Sequence, residues 1–216
     1  MLNWSLRYAP LVRELRRLAP GRVLDVGSGP EGLRMFWRGD VVGAELAYKR
    51  RPLHRAVIAH AARLPFPARA FPAVVSSDLL EHLPPGSRPA AIAEMSRLAA
   101  RALLLTFPSG AAAARMYRAI ARFYRQPPPW LADHLAHELP DAAAAARLLE
   151  NAGWDVTLAW YESPRLHQTL VLLEDRCGLR WGTYPLLRVL GPWLLPRPKP
   201  RPPHDAVRAV ISARRY

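Results

Sequence analysis

Val23-Leu-Asp-Val-Gly-Ser-Gly-Pro-Glu-Gly32 is the stretch from which the rest of the chain is read. Val23, Leu24 and Val26 flank Asp25 ahead of Gly27, Gly29 and Gly32. That is the pattern of a buried strand ending in a glycine-rich turn that opens a helix. Such a turn lets a ligand approach the backbone closely, because glycine has no Cβ.

The spacing Gly27-x-Gly29-x-x-Gly32 fits a dinucleotide fingerprint, with acidic Glu45 at the end of the next apolar run, Val41-Val42-Gly43-Ala44. Charge argues against a pyrophosphate, which needs free N–H groups and positive potential at a helix N-terminus. This turn offers Pro30, which has no N–H, and Glu31, with Asp25 behind them. These acids suit a cofactor that carries an ammonium and a sulfonium, which describes S-adenosylmethionine. Glu45 lies twenty residues after Asp25, where a carboxylate at a strand end accepts both ribose hydroxyls.

Four blocks in order carry a family resemblance: Val23-Leu-Asp-Val-Gly-Ser-Gly29, Val42-Gly-Ala-Glu45, Ala61-Ala-Arg-Leu-Pro-Phe66 and Val74-Val-Ser-Ser-Asp-Leu-Leu-Glu-His-Leu83. The chain resembles a class I S-adenosylmethionine-dependent methyltransferase of the small, ubiquinone-biosynthesis-like type, the type 11 family. The blocks cover roughly residues 5–110, with a weaker echo to about 160. The resemblance implies a Rossmann-like, doubly wound α/β fold with a seven-stranded, mostly parallel sheet and an antiparallel last strand. It also implies a cofactor site formed by Asp25, Gly27, Ser28 and Gly29, with Asp25 at the methionine amino end, Glu45 on the ribose and Leu46 on the adenine face. His60 stands where the family usually has an aspartate for the adenine amino group, and the Ala61 backbone reads the ring. Phe71-Pro72 replaces a common Phe-Asp, a change expected to affect local hydrogen bonding rather than chemistry.

Strand ends in open parallel sheets converge on the ligand crevice, so Ser77, Asp78 and His82 are expected to face donor and acceptor. Asp78 then positions the cofactor. His82, one helical turn on, is the general-base candidate, with an ordinary pKa near 6.5.

The chain has 216 residues, enough for one domain with its own core, and a formal net charge of +14 carried almost wholly by arginine. Coding bias explains an arginine-, alanine- and proline-rich chain as readily as a basic partner does, so charge alone selects no substrate. The single Cys177 excludes an internal disulfide framework and points to a reducing cytoplasm. Met1 to Pro20 has no continuous apolar region and does not read as a signal peptide.

Periodicity predicts an amphipathic helix over Leu6–Leu18, strands over Arg22–Val26, Val41–Glu45, Arg55–Ala59, Ala73–Ser77, Arg101–Phe107 and Trp154–Tyr161, and a last strand over Ala206–Ala213. Helices are expected over about Glu31–Trp37, Arg88–Ala100 and Asp141–Asn151. Two inserted covers, about 109–135 and 163–203, distinguish the single domain. The first contains a basic amphipathic helix, Ala111–Arg125, with Arg115, Arg118, Arg122 and Arg125 beside a stripe of Met116, Ile120 and Phe123. Trp130, Leu131 and His134 are expected to wall the acceptor pocket. Asp133, His134, His137 and Glu138 have helix-face spacing for a metal, but the sequence offers no second ligand cluster, and no metal is expected. In the second cover, Leu166–Leu173 reads as helical, and Trp181–Leu195 is too short and too broken to span a bilayer. That apolar run suits a lid or a homodimer surface. Peripheral membrane contact through 111–125 or 181–195 is a further reading.

The function implied is methyl transfer to an O, N or C atom of a small-molecule or isoprenoid-like acceptor. The alternative is a basic RNA-binding protein or RNA methyltransferase, catalytically silent or not.

Overall fold

The computed structural model describes residues 2–176, 201 and 203–215. Its elements run α1 (Leu2–Leu18), β1 (Arg22–Val26), β2 (Asp40–Glu45), β3 (Arg55–Ile58), β4 (Phe71–Ser77), α2 (Arg88–Leu98), β5 (Ala99–Pro108), α3 (Gly110–Ala121), α4 (Pro129–Ala136), α5 (Ala142–Asn151), β6 (Asp155–Tyr161), α6 (Pro164–Arg176) and β7 (Arg208–Arg214). The strands form one sheet in the order β3-β2-β1-β4-β5-β7-β6. β1 pairs in parallel with β2 and β4, β2 with β3, and β4 with β5; β7 runs antiparallel between β5 and β6. This is the Rossmann-like mixed sheet expected, with the antiparallel last strand in place.

The order reverses at β1, so the crevice that binds ligands in open α/β sheets lies beyond the C-terminal ends of β1 and β4. β1, β4 and β5 are apolar on both faces and are covered on both. On one face Leu11, Val12 and Leu15 of α1, all fully buried, pack with Val23, Val75, Leu104 and Phe36. On the other, α2 and α5 bring Ile92, Met95, Leu98 and Leu149 onto Leu24, Val74, Leu103 and Leu105. A third apolar cluster joins Met116, Tyr117 and Ile120 of α3 to Leu131 of α4 and Val171 of α6, outside the C-terminal edge of the sheet.

Most expected elements form within a residue or three of their sequence bounds. Three depart further: α1 begins four residues earlier than expected, the basic helix stops four residues short, and Glu31–Trp37 yields only the single 3-10 turn Gly32–Met35. The Asp25 carboxylate accepts the Leu33 N–H at 2.7 Å and draws that segment into a tight turn beneath the sheet edge. The basic helix ends at Ala121, so Arg122 and Arg125 lie beyond it, and Phe123 is exposed instead of continuing the apolar stripe. α5 starts where expected because Asp141 caps it, accepting the Ala143 and Ala144 N–H groups. A cap of this kind stabilises a helix by about 1 kcal/mol. Pro72 sits at a register shift between Phe71 and Ala73 in the β4–β5 ladder. The apolar run Trp181–Leu195 and most of the Pro196–Pro203 linker lie outside the described residues.

A buried ion cluster ties the antiparallel strand into the parallel sheet. Arg208, the first residue of β7, is 1% exposed and pairs with Asp78, just past β4, and with Glu162, just past β6. His167 of α6 meets Glu162 at 3.0 Å, and Arg7 of α1 meets Asp78 at 2.7 Å. Burial pushes the Asp78 carboxyl up, but Arg208 and Arg7 outweigh it and hold the group below the usual carboxylate range. Glu162 is held low in the same way, with burial overcome by His167 and Arg208. Removing one member of such a cluster leaves an uncompensated buried charge, which costs about 3–5 kcal/mol. Arg208→Met is therefore expected to lower the urea-unfolding free energy by about that amount; an unchanged denaturation midpoint would show that the cluster contributes nothing net.

Candidate active site

The glycine loop joins β1 to the 3-10 turn, and Gly27, Gly29 and Gly32 all have positive φ, at 77°, 56° and 50°. At Gly32 a side chain is excluded twice over, because a Cβ there would lie 2.5 Å from Asp25 Oδ2. The loop is pinned to β2: the Gly27 N–H donates to the Ala44 carbonyl, and the Gly29 N–H donates to Glu45 Oε2 at 3.0 Å. Glu45 Oε1 accepts the Leu46 N–H at 2.9 Å. Each carboxylate oxygen thus takes one backbone donor and keeps a lone pair for another.

Leu46 is 65% exposed at the end of β2, and Ile58 is 72% exposed at the end of β3. Two large apolar side chains left open at adjacent strand ends make a surface suited to a flat ring. His60 is also exposed, and its Nδ1 accepts the Ala62 N–H at 3.2 Å, which ties the ring into its own loop. Ala61 beside it is buried. At the end of β4 the Ser77 hydroxyl is buried without a hydrogen-bond partner among the described residues.

The acids that argued for a cationic ligand sit differently from the sequence expectation. Glu31 is buried and paired with Arg50, so its charge is neutralised away from the crevice. Asp25 has no exposed surface and lies beneath the loop. Asp78 belongs to the Arg208 cluster, with φ at 56°. Ser28 is buried too, its hydroxyl 3.1 Å from both Tyr48 Oη and His54 Nε2. This contact explains Gly43, since a Cβ there would lie 1.9 Å from His54 Nε2. Neither Tyr48 nor His54 stands out in the sequence, because the loop that carries them has no periodic pattern.

Next to the crevice, a cleft of ≈ 620 Å³ opens between the end of β5, α3 and the α4–α5 connection, lined by Tyr117, Arg118, His134, Asp141 and Trp160 among others. Its volume suits a small molecule. His134 lines it as expected, whereas Leu131 is buried in the apolar cluster behind. His82 is not one of its lining residues but lies next to His134, 36% exposed, with ring centroids 4.8 Å apart and its Nδ1 3.8 Å from Asp133. His137 and Glu138 fall beyond the end of α4 and are exposed, so they do not share a helix face with Asp133 and His134.

This sheet order with the glycine loop at its switch point defines the class I methyltransferase fold. Residues 24–102, less than half of the chain, match the family model described as a methyltransferase domain. No curated relative matches the chain. Among solved structures it is similar to an S-adenosylmethionine-dependent methyltransferase from Archaeoglobus fulgidus, with 17% identity, 96% of this chain and 94% of that one covered, and a TM-score of 0.57. Burkholderia thailandensis 1,6-didemethyltoxoflavin-N1-methyltransferase, with 1,6-didemethyltoxoflavin and S-adenosylhomocysteine bound, gives 15%, 97% and 77%, and 0.54. Magnesium protoporphyrin IX methyltransferase from Synechocystis PCC 6803, with S-adenosylhomocysteine bound, gives 16%, 98% and 86%, and 0.54. At these identities the likeness is one of fold.

Asp25 has a measurable signature. Burial raises its pKa to about 7, the Leu33 N–H opposing this and the Glu45 charge adding to it. With the folded pKa above the unfolded value near 3.9, the folded state binds the extra proton. Its stabilising effect is complete below about pH 4 and is lost as pH rises through about 7. Asp25→Asn is expected to flatten the fall in unfolding free energy between pH 5 and pH 8; a slope equal to that of the unmodified chain in paired urea titrations would show that Asp25 is ionised throughout.

Proposed function

We propose that the protein transfers a methyl group from S-adenosylmethionine to a small-molecule acceptor bound in the cleft beside His134. The observation that carries this reading is the Glu45 carboxylate, pinned by the Gly29 and Leu46 N–H groups at the sheet's switch point. Its two remaining lone pairs match the two hydroxyls of a ribose and do not match an anion. The fit extends to the open Leu46 and Ile58 side chains for an adenine and to the orphaned Ser77 hydroxyl for a polar group. S-adenosylmethionine supplies, when bound, a methyl group on a sulfonium, activated for in-line displacement.

The chain's own work is then alignment and exclusion of water. Glu45, Leu46, Ile58 and the Ala61 backbone hold the nucleoside. Asp25 and Asp78 act one layer beneath, Asp25 by setting the loop turn and Asp78 by anchoring the end of β4 to Arg208. His82, open to solvent beside the cleft-lining His134, takes a proton from acceptors that hold one tightly. The 109–135 segment serves as the cover of the acceptor side. Two of the neighbours, the toxoflavin-precursor and magnesium protoporphyrin IX methyltransferases, act on small molecules by their printed names, which supports an acceptor of that size.

A second reading rests on the exposed arginines 115, 118, 122 and 125, which give the α3 side a basic face suited to RNA. Binding to a mixed RNA that weakens steeply with salt would favour it. No helix among the described residues is long and apolar enough to cross a membrane.

Calorimetry with S-adenosylhomocysteine tests the donor site. Glu45→Ala is expected to weaken binding by roughly tenfold or more, equivalent to loss of about 1.4 kcal/mol. Wild-type affinity in that variant, or binding of NAD in place of S-adenosylhomocysteine, overturns the assignment. Mass spectrometry of a cell extract incubated with labelled donor then identifies the acceptor.

A further inference from the structure

We infer that Glu81, His82 and His134 form a binding site for one divalent transition-metal ion at the wall of the acceptor cleft. One candidate ligand atom from each residue lies within 4.8 Å of the others. Glu81 is 1% exposed, and both of its carboxylate oxygens are buried without a hydrogen-bond partner among the described residues. A carboxylate in that state demands a counter-charge, and what faces it is the Nε2 of His134 at 3.7 Å.

The tautomer of His134 decides what that gap means. Its Nδ1 lies 2.6 Å from the Trp130 carbonyl, which only accepts, so Nδ1 carries the hydrogen. Neutral His134 then turns a bare lone pair on Nε2 towards the bare lone pairs of Glu81. Two acceptors face each other at a distance too long for a hydrogen bond. Ligand atoms held about 2.1 Å from one ion stand about 3 to 3.5 Å apart; the Glu81–His134 pair is near this at 3.7 Å, while the full set extends to 4.8 Å, so the exposed His82 ring has to move inward to close on an ion.

His82 completes the set, and with an ion bound its imidazole is a ligand and no longer the proton acceptor proposed above. Its Nδ1 faces Asp133, leaving Nε2 as the free ring nitrogen, and its partial exposure lets the ring adjust. The Trp130 carbonyl on the Nδ1 side of His134 is the arrangement that orients metal-bound imidazoles, whereas Asp133 stands 3.8 Å from His82 Nδ1, beyond hydrogen-bond reach. Two imidazoles and one carboxylate suit zinc and its neighbours in the first transition row, with a coordination position left open. The local charges are compatible: Asp78 is already matched by Arg208 and Arg7, and Arg88, the cation that acts on Glu81, spends its hydrogen bonds on the Leu83 and Glu138 carbonyls. His134 also lines the cleft, so an ion here places positive charge beside the acceptor.

The sequence showed only half of this site. Asp133 and His134 were visible as a metal spacing without a second cluster, and the short 3-10 turn Leu80–His82 brings that cluster from fifty residues away.

The test uses the full chain, stripped with chelator and titrated with zinc, manganese and cobalt salts, with neither donor nor acceptor present. Failure here therefore leaves the methyl-transfer reading standing. One equivalent of ion is expected, with visible absorption from the cobalt form that reports nitrogen and oxygen ligation. Glu81→Gln and His134→Ala are each expected to weaken binding by roughly tenfold or more while circular dichroism is unchanged. No stoichiometric binding of any of the three ions, or wild-type affinity in folded Glu81→Gln, overturns the site and leaves an imidazolium–carboxylate pair in its place.

Discussion

The burial of Arg208 is the constraint on which the architecture turns. A guanidinium with 1% exposure has to be matched by charge, and Asp78 and Glu162 match it from two strand ends that the sequence places far apart. Burial alone would lower its pKa, but the two carboxylates reverse that and hold the cation firmly protonated. The ends of β4, β6 and β7 are thereby fixed at one depth. Arg7 and His167 extend the cluster to α1 and α6, so the helices that approach the crevice are held by the same charges.

This cluster separates two kinds of acid near the crevice. Asp25 is buried and Asp78 mostly so, and their work is geometric: Asp25 folds the segment after the glycine loop into a 3-10 turn, and Asp78, itself left-handed, ties the end of β4 to Arg208. Glu45 remains partly open, with lone pairs left for a ligand. The negative character of the glycine turn thus comes down mainly to one residue on the neighbouring strand, since Glu31 spends its charge on Arg50.

The donor half of the site is legible in the sequence because it is local. Gly27, Gly29, Glu45, Leu46 and Ala61 each sit at the end of a strand that the apolar pattern marks. The acceptor half is not. His134 is a plain helical residue until Glu81 is brought opposite it, and Tyr48 and His54 acquire partners only when their loop folds over Ser28 and Gly43. Arg208 could not be singled out either, because one buried arginine among many carries no mark in an arginine-rich chain.

By itself the sequence determined the alternation of strands and helices, the switch point and the glycine loop, since these follow from apolar periodicity and from the few residues that accept positive φ. It also determined the antiparallel last strand, through the family resemblance. Only the tertiary structure decided which charges are spent inside the molecule and which remain for a ligand. Charge pairing is set by distance in space, and Arg208 with Asp78, like Glu81 with His134, are pairs that chain order leaves far apart.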